Sequence, residues 1–234
     1  MDKQNLISYL RNNRQVALLL SISAMAMVLL TFRILNTRSL GFYFLVWNLF
    51  LAWTPLLFIK MAWNIDRVKM LPGWALYLSL LVWLLFFPNA PYIITDLKHL
   101  RGVPENMIWY DAILLFSFAL SGLLTGLYSI RIVFRLLKRR FSQPASWLLV
   151  LLFMSLSGFG IFLGRFGRWN SWDIITQPDA LAKGVFLSLT DPLAIKHTAT
   201  FSFVLMLLYL AFHIFAEINN NEPANKYFKN AEKL

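Results

Sequence analysis

The sequence predicts an all-α, polytopic membrane protein: a bundle of six transmembrane helices with both termini cytoplasmic. Three observations carry that expectation. Of the 234 residues, 59% are hydrophobic and only 14% charged, against about 45–50% and about 25% in an ordinary soluble domain. A soluble chain of this size could not hide so much apolar surface, because much of any small protein faces water. The apolar residues also gather in six runs, and the basic residues gather in the gaps between them.

A spanning helix takes roughly 20 apolar residues, with about 17 a workable minimum. Gln15 to Phe32 is the first run, Leu40 to Phe58 the second, and Pro72 to Phe87 the third, opened by a proline where the first helical turn tolerates one. Tyr110 to Ile130, Trp147 to Leu163 and Thr198 to Ala216 complete a single integral membrane domain, residues 1–234. The first run is not read as a signal peptide, since it lacks a small-x-small cleavage pattern and five more runs follow. Trp63, Trp74, Trp109, Trp147 and Trp169 fall at or near run ends, where an indole suits the headgroup level. The first 14 residues are polar and suit a short surface helix, while the tail from Asn219 to Leu234 is expected to fray or lie on headgroups. Residues 171–197 form the one long connection, broken by Pro178, Gly184 and Pro192. Its apolar middle, Leu181 to Leu189, suits the membrane interface or a partial dip.

Of the 22 Lys and Arg residues, 14 collect on one side of this arrangement and 8 on the other, so the richer side is assigned to the cytoplasm. Arg131, Arg135, Lys138, Arg139 and Arg140, after the fourth run, weigh most in that assignment. The same flanks meet anionic lipid headgroups and account for the formal charge of +11. In a soluble chain that charge would suggest nucleic acid; here membrane lipids are the expected partners and nucleic acid is not. Cysteine is absent, which excludes disulfides, a thiol nucleophile and thiolate metal sites.

Polar chemistry collects in three segments. Phe87-Pro88-Asn89-Ala90-Pro91-Tyr92, with Thr95, Asp96 and His99 behind it, closes the third run. Pro88 and Pro91 interrupt helical hydrogen bonding, and backbone freed at membrane depth needs partners within the protein, which Asn89 and Thr95 can supply. Asp96 and His99 are three apart and share a face if a helix resumes. Trp109-Tyr110-Asp111 opens the fourth run, where Asp111 suits a helix cap. Gly164-Arg165, then Arg168-Trp169-Asn170-Ser171-Trp172-Asp173, leaves the fifth run, with Arg165 and Arg168 again three apart and Asp173 within reach of Arg168.

By the expected topology all three segments lie on the outer side, with Asp191 and His197. Ionisable groups at the edge of hydrocarbon are costly and usually pack together. Two readings of Asp96, Asp111, Arg165, Arg168 and Asp173 stand side by side. In one they form an ion-pair network that fixes helix order. In the other they line a cup, with Asn89, Tyr92, His99 and Asn170 beside them, the arginines clamping a phosphate or carboxylate and Trp169 and Trp172 framing the mouth. A metal reading draws on Asp96, His99 and Asp173, with Asp111, Asp191 and His197 as further donors, but the spacing matches no standard zinc motif. No cofactor is specified.

Other patterns point to packing. Ser155 and Ser157 have no nearby base, and neither a nucleophile elbow nor a nucleotide-binding glycine loop occurs. Gly158, Gly160 and Gly164 on the fifth run, and Gly122, Gly126, Ser117 and Ser121 on the fourth, permit close helix approach, so both runs are expected to be central. His213 should reach the interface or a backbone carbonyl, no acidic partner being evident at its depth.

Phe-Pro-Asn-Ala-Pro-Tyr with Thr95-Asp96-Leu97, then Trp109-Tyr110-Asp111, then Gly164-Arg165 with Arg168 to Asp173, resembles the predicted bacterial membrane proteins grouped as domain-of-unknown-function family thirteen sixty-one. The likeness runs from about the second run to the sixth. It implies a multi-pass protein of a bacterial cytoplasmic membrane and brings no activity, substrate or cofactor. Asn89, Pro91, Tyr92, Asp96, Asp111, Arg165, Arg168, Trp169, Asn170, Trp172 and Asp173 match the family pattern by position. The function expected first is binding or handling of an anionic or lipid-linked envelope molecule. A metal-dependent membrane hydrolase and a non-catalytic scaffold or accessory subunit are the alternatives.

Overall fold

The computed structural model of the chain describes residues 14–221, which are helical apart from short connections. The helices are α1 (Arg14–Thr37), α2 (Phe44–Val68), α3 (Gly73–Phe86), α4 (Asn89–Tyr92), α5 (Ile108–Lys138), α6 (Gln143–Phe162), α7 (Asp173–Thr176), α8 (Pro178–Leu189) and α9 (Pro192–Asn221). Two 3₁₀ segments, Ile93–Leu100 and Glu105–Met107, lie between α4 and α5, and a π-turn, Leu163–Gly167, extends α6. Among the described residues six stretches are long and apolar enough to cross a bilayer: α1, α2, α3 continued to Leu100, α5, α6 with its π-turn, and α9. The expected polar start and tail lie outside the described residues, save that helix α9 runs on to Asn221.

The α5 helix is the axis of the bundle. It is apolar on nearly every side, the pattern of a helix surrounded by protein; α1, α2 and the 93–100 segment pack on one flank, α6 and α9 on the other. One core joins α1, α2 and α5 through Ala26, Leu45, Leu114 and Phe118. The other joins α3, α5, α6 and α9 through Trp83, Val133, Met154 and Tyr209. The expectation that the fifth span is also central does not hold. α6 pairs with α9 and leaves Leu148, Leu152 and Leu156 exposed. Its Gly158 is what allows the pairing, since a Cβ there would lie 2.6 Å from Ser202 Oγ and 2.7 Å from the Thr198 carbonyl.

Several spans exceed their expected bounds, for one physical reason. Charges near a helix end read as loop, yet they can be buried within the bundle. Arg131 is 4% exposed and donates to the Ala216 carbonyl at 3.2 Å, so α5 continues to Lys138. α9 also continues past Ala216, carrying Glu217, which is exposed but lies one turn beyond His213 with its Oε1 3.1 Å from the imidazole Nε2. The imidazole is boxed by Phe134, Trp147 and Tyr209. Trp147 is therefore half-buried, packed on the imidazole, whereas Trp74 and Trp109 are exposed.

The third span passes through its two prolines without leaving the protein. Pro88 and Pro91 bring no N–H, and nearby carbonyls are satisfied from elsewhere: Asn89 Nδ2 donates to Phe86 O at 2.9 Å and Ser171 Oγ to Leu85 O at 2.8 Å. α5 makes room for the broken segment with small residues. A Cβ on Gly122 would lie 2.6 Å from the Ala90 carbonyl, and one on Gly126 3.0 Å from Ala90 Cβ. The segment is thus held at fixed depth against the axis, which is what places the polar site.

The two ends of the bundle are chemically distinct. At one, Arg139 and Arg140 reach Asp66 at 3.0 and 2.7 Å, tying the loop after α5 to the end of α2; this basic rim also carries Arg67, Lys69 and Lys138. The other end, the site rim, holds the 87–100 segment, the start of α5 and the loop leaving α6.

Candidate functional site

Asp96 is 2% exposed on the 3₁₀ segment. Its carboxylate accepts from Asn48 Nδ2 at 2.7 Å and from Arg165 Nη1 at 3.2 Å. Arg165 stands on the π-turn, where one extra residue re-aims the end of α6 toward the third span. Its Nη2 donates to the Thr95 carbonyl at 2.6 Å, its Nη1 also meets the Tyr92 hydroxyl at 3.2 Å, and the guanidinium carbon lies 5.5 Å from the Tyr92 ring centroid. A buried charge is tolerable only when paired and hydrogen-bonded, and here both partners are.

Beside this cluster lies a cavity of about 250 Å³. Its walls come from four places: Trp47, Asn48 and Leu51 of α2, the 85–92 stretch with Asn89 and Tyr92, Gly160 to Gly164 at the end of α6, and Trp169, Asn170 and Ser171 with Leu181 and Val185 of α8 above. Asn89 Nδ2 is held by Ser171 Oγ at 3.0 Å. The Trp169 indole is set between two glycines, for a Cβ on Gly167 or Gly184 would fall 2.5 or 2.8 Å from it. No charged side chain lines the cavity.

The remaining expected residues are placed differently. Asp111 is fully buried and takes a two-pronged ion pair from Arg33 of α1, Nε to Oδ1 at 2.9 Å and Nη2 to Oδ2 at 3.0 Å. It neither caps its helix nor joins Arg165. Arg168 ends the π-turn in the left-handed region at φ 58°, exposed, so it shares no helix face with Arg165. Asp173 does not pair with Arg168 but closes its own turn, accepting from Asn170 N at 2.7 Å and Thr176 Oγ1 at 3.0 Å. The Asn170 amide, helped by the Thr176 hydroxyl, holds the Asp173 carboxyl below its ordinary value although burial acts the other way. Trp172 stands edge-on to Trp47, ring centroids 6.2 Å apart, at the cavity's margin rather than in its wall.

The metal set does not assemble. His99 Nε2 is 4.0 Å from Asp96 Oδ1 and its ring packs on Phe44, while Asp173 is occupied within its own turn. Asp191 accepts from Leu193 N at the start of α9, and His197 packs on Phe166. Among the described residues no three His, Asp or Glu side chains are grouped to hold a metal ion.

Asn48, Trp47, Ser171 and Arg33 were not picked out as site residues. Asn48 is the one with a readable signal, a lone amide inside the apolar second run. Arg33 was counted only as a flank charge.

No curated protein and no solved structure matches this chain. A family model described as protein of unknown function (DUF1361) matches residues 47–213, from the α2 tryptophan at the cavity to the boxed histidine of α9. With most of its length covered, and with the segments that build the rim cluster all inside the match, the chain belongs to that family.

Proposed function

We propose that this protein binds the uncharged, hydroxyl-rich head of an envelope molecule at the outer face of a bacterial cytoplasmic membrane, with the basic rim and both termini facing the cytoplasm. The orientation is supported by the crowd of Lys and Arg at the basic rim. The ligand class is supported by one observation above the others: set among Leu51, Leu85, Pro88, Leu163, Leu181 and Val185, the polar residues lining the cavity are Asn48, Asn89, Asn170, Ser171 and Tyr92 with Trp47 and Trp169, and none is charged. Asn89 Nδ2 spends its hydrogens on Phe86 O and Ser171 Oγ, so its Oδ1 is the atom that accepts from a ligand hydroxyl, and an indole face receives the C–H face of a ring while its N–H can donate. That combination suits a sugar-like group. The arginine clamp expected from the sequence gives way here, because Arg165 is engaged by Asp96, Tyr92 and Thr95. Arg168, exposed next to Trp169, is a cation placed to meet a phosphate outside the cavity.

A scaffold role remains a second reading, favoured by the closed Arg33–Asp111 pair. A labelling experiment separates the two. The chain has no cysteine, so Val185→Cys places a single thiol on the cavity wall. In zwitterionic nanodiscs, sub-solubilising octyl glucoside should slow its reaction with a maleimide, octyl phosphate should not, and Asn89→Leu should abolish the protection. Protection by octyl phosphate alone would replace the uncharged head with an anion. Protection by neither favours the scaffold.

A further inference from the structure

We infer that the bound molecule is a lipid whose hydrocarbon chain lies in a valley between α3 and α6, entering the site sideways from the bilayer. This rests on the head-binding reading above and adds the class of the rest of the ligand.

A second cavity, about 340 Å³ and almost wholly apolar, sits nearer the basic rim. It is lined by Tyr77, Leu81 and Leu84 of α3 and by Leu149 and Phe153 of α6, over Leu137 and Phe141. The polar cavity uses the same two helices one or two turns further along, with Leu85 at the end of α3 and Pro88 after it, and Gly160 at the end of α6 and Gly164 in the π-turn. Steps of three, four and seven residues keep side chains on one helix face. Tyr77, Leu81, Leu84 and Pro88 therefore form one stripe, and Leu149, Phe153, Leu156 and Gly160 form the facing one.

The two stripes flank a valley because α3 and α6 do not pack closely on each other. α3 leans on α2 and α6 on α9. Trp83, 1% exposed, fills the floor between them, donating to Ser129 Oγ of α5 at 3.1 Å and meeting Phe153 edge-on. The valley is open to the membrane along Leu81 and Leu156, 65% and 45% exposed. Between the two cavities, Gly160 of the polar cavity's wall crosses Pro88. A Cβ on Gly160 would lie 2.8 Å from the Pro88 ring, so α6 and the proline segment touch at the crossing, and a chain runs over that contact on its lipid-facing side. The rise from Tyr77 to Asn89 is about 18 Å at 1.5 Å per residue, the scale of one extended acyl chain.

Lipid tails are as apolar as leucine, so the valley by itself gains little from a chain that leaves the bilayer. Occupancy must come from the head. That sets the test: valley labelling should depend on a head that fits the polar cavity. The probe is dodecyl glucoside carrying a diazirine at its chain end, photolysed with the full chain in nanodiscs, adducts being mapped by mass spectrometry. Dodecanol with the same diazirine is the control.

The expected result is adducts several-fold enriched at residues 77–84 and 149–153 over the exposed face of α1. They should be absent with the dodecanol probe and lost when Leu81→Trp fills the lower cavity. Leu81 is exposed, so that variant keeps the fold, and it should leave octyl glucoside protection of Val185→Cys intact. Equal labelling by the two probes overturns the inference, as does even labelling of all membrane-facing helices by the glucoside. If octyl glucoside still protects Val185→Cys in either case, the head site stands alone. If it does not, both readings fall.

Discussion

Arg165 and Asp96 meet across the bundle with an Nη1–Oδ1 distance of 3.2 Å, although 69 residues separate them in the chain. Removing the arginine strands a carboxylate that is 2% exposed, and breaking a buried pair from one side costs about 3–5 kcal/mol. Arg165→Leu should therefore lower the midpoint of thermal unfolding sharply. Arg165→Leu with Asp96→Leu should not restore it, because the Thr95 carbonyl, Tyr92 and Asn48 lose partners too. Full recovery in the double variant would show the pair to be isolated from the site.

Arg33 and Asp111 should behave in the opposite way. Their bond is two-pronged, and among the described residues Arg33 otherwise donates to Thr37 and lies 4.4 Å from the Phe42 ring centroid. Asp111→Leu alone should destabilise by about 3 kcal/mol, and Arg33→Met with Asp111→Leu should regain most of it, since apolar replacement of a whole buried pair is often neutral. Chemical or thermal unfolding of the two singles and the double measures the coupling. Maleimide protection at Val185→Cys should be unchanged throughout.

Gly122 supplies a packing test. A methyl group there points at the Ala90 carbonyl from 2.6 Å and at Ile93 from 2.8 Å, so Gly122→Ala should cost about 1–3 kcal/mol through overpacking. Gly73→Ala, whose nearest new contact is 4.0 Å away on the Tyr77 ring, should be silent in the same melts. Equal behaviour would mean that α5 does not seat the proline segment.

Asp173 predicts a pH response confined to its turn. Its folded pKa is below the ordinary 3.8, so its contribution is fully present above that value. It is lost only as pH falls from there through the lower folded pKa. Exchange of the Asn170 amide should accelerate in that acid window in the native protein, relative to an Asp173→Asn variant, and show no such step between pH 5 and pH 7 (roughly the range where carboxylates stay charged). A step near neutrality would assign the turn's stability to another group.

Sidedness can be read with two single thiols. In intact cells an impermeant maleimide should reach Arg101→Cys at the site rim and spare Lys69→Cys at the basic rim. The reverse pattern would turn the protein over and move the proposed head site to the cytoplasm.

Composition and spacing were enough to locate six spans, because a bilayer demands long unbroken apolar runs. Their ends were less legible. Arg131 and Glu217 lie beyond the apolar runs, yet Arg131 finds a carbonyl on another helix and Glu217 a histidine one turn back on its own. The same blindness affected the rim. Proline spacing announced a broken helix at 88–91, and the polar residues around it were visible, but partner choice was not. Asp111 went to Arg33, Asp173 to its own turn and Asp96 to Arg165 and Asn48.

What the sequence determined by itself is the multi-pass membrane character, the six stretches long and apolar enough to cross, and the segments where charge interrupts hydrocarbon. These follow from local composition, which needs no knowledge of neighbours. Which charges neutralise one another, and that a cavity with an uncharged wall is left beside them, was decided only by tertiary packing. Gly122 and Gly126 set the depth of the proline segment and the π-turn aims Arg165. Both effects act through contacts between residues tens of positions apart, and no local pattern records them.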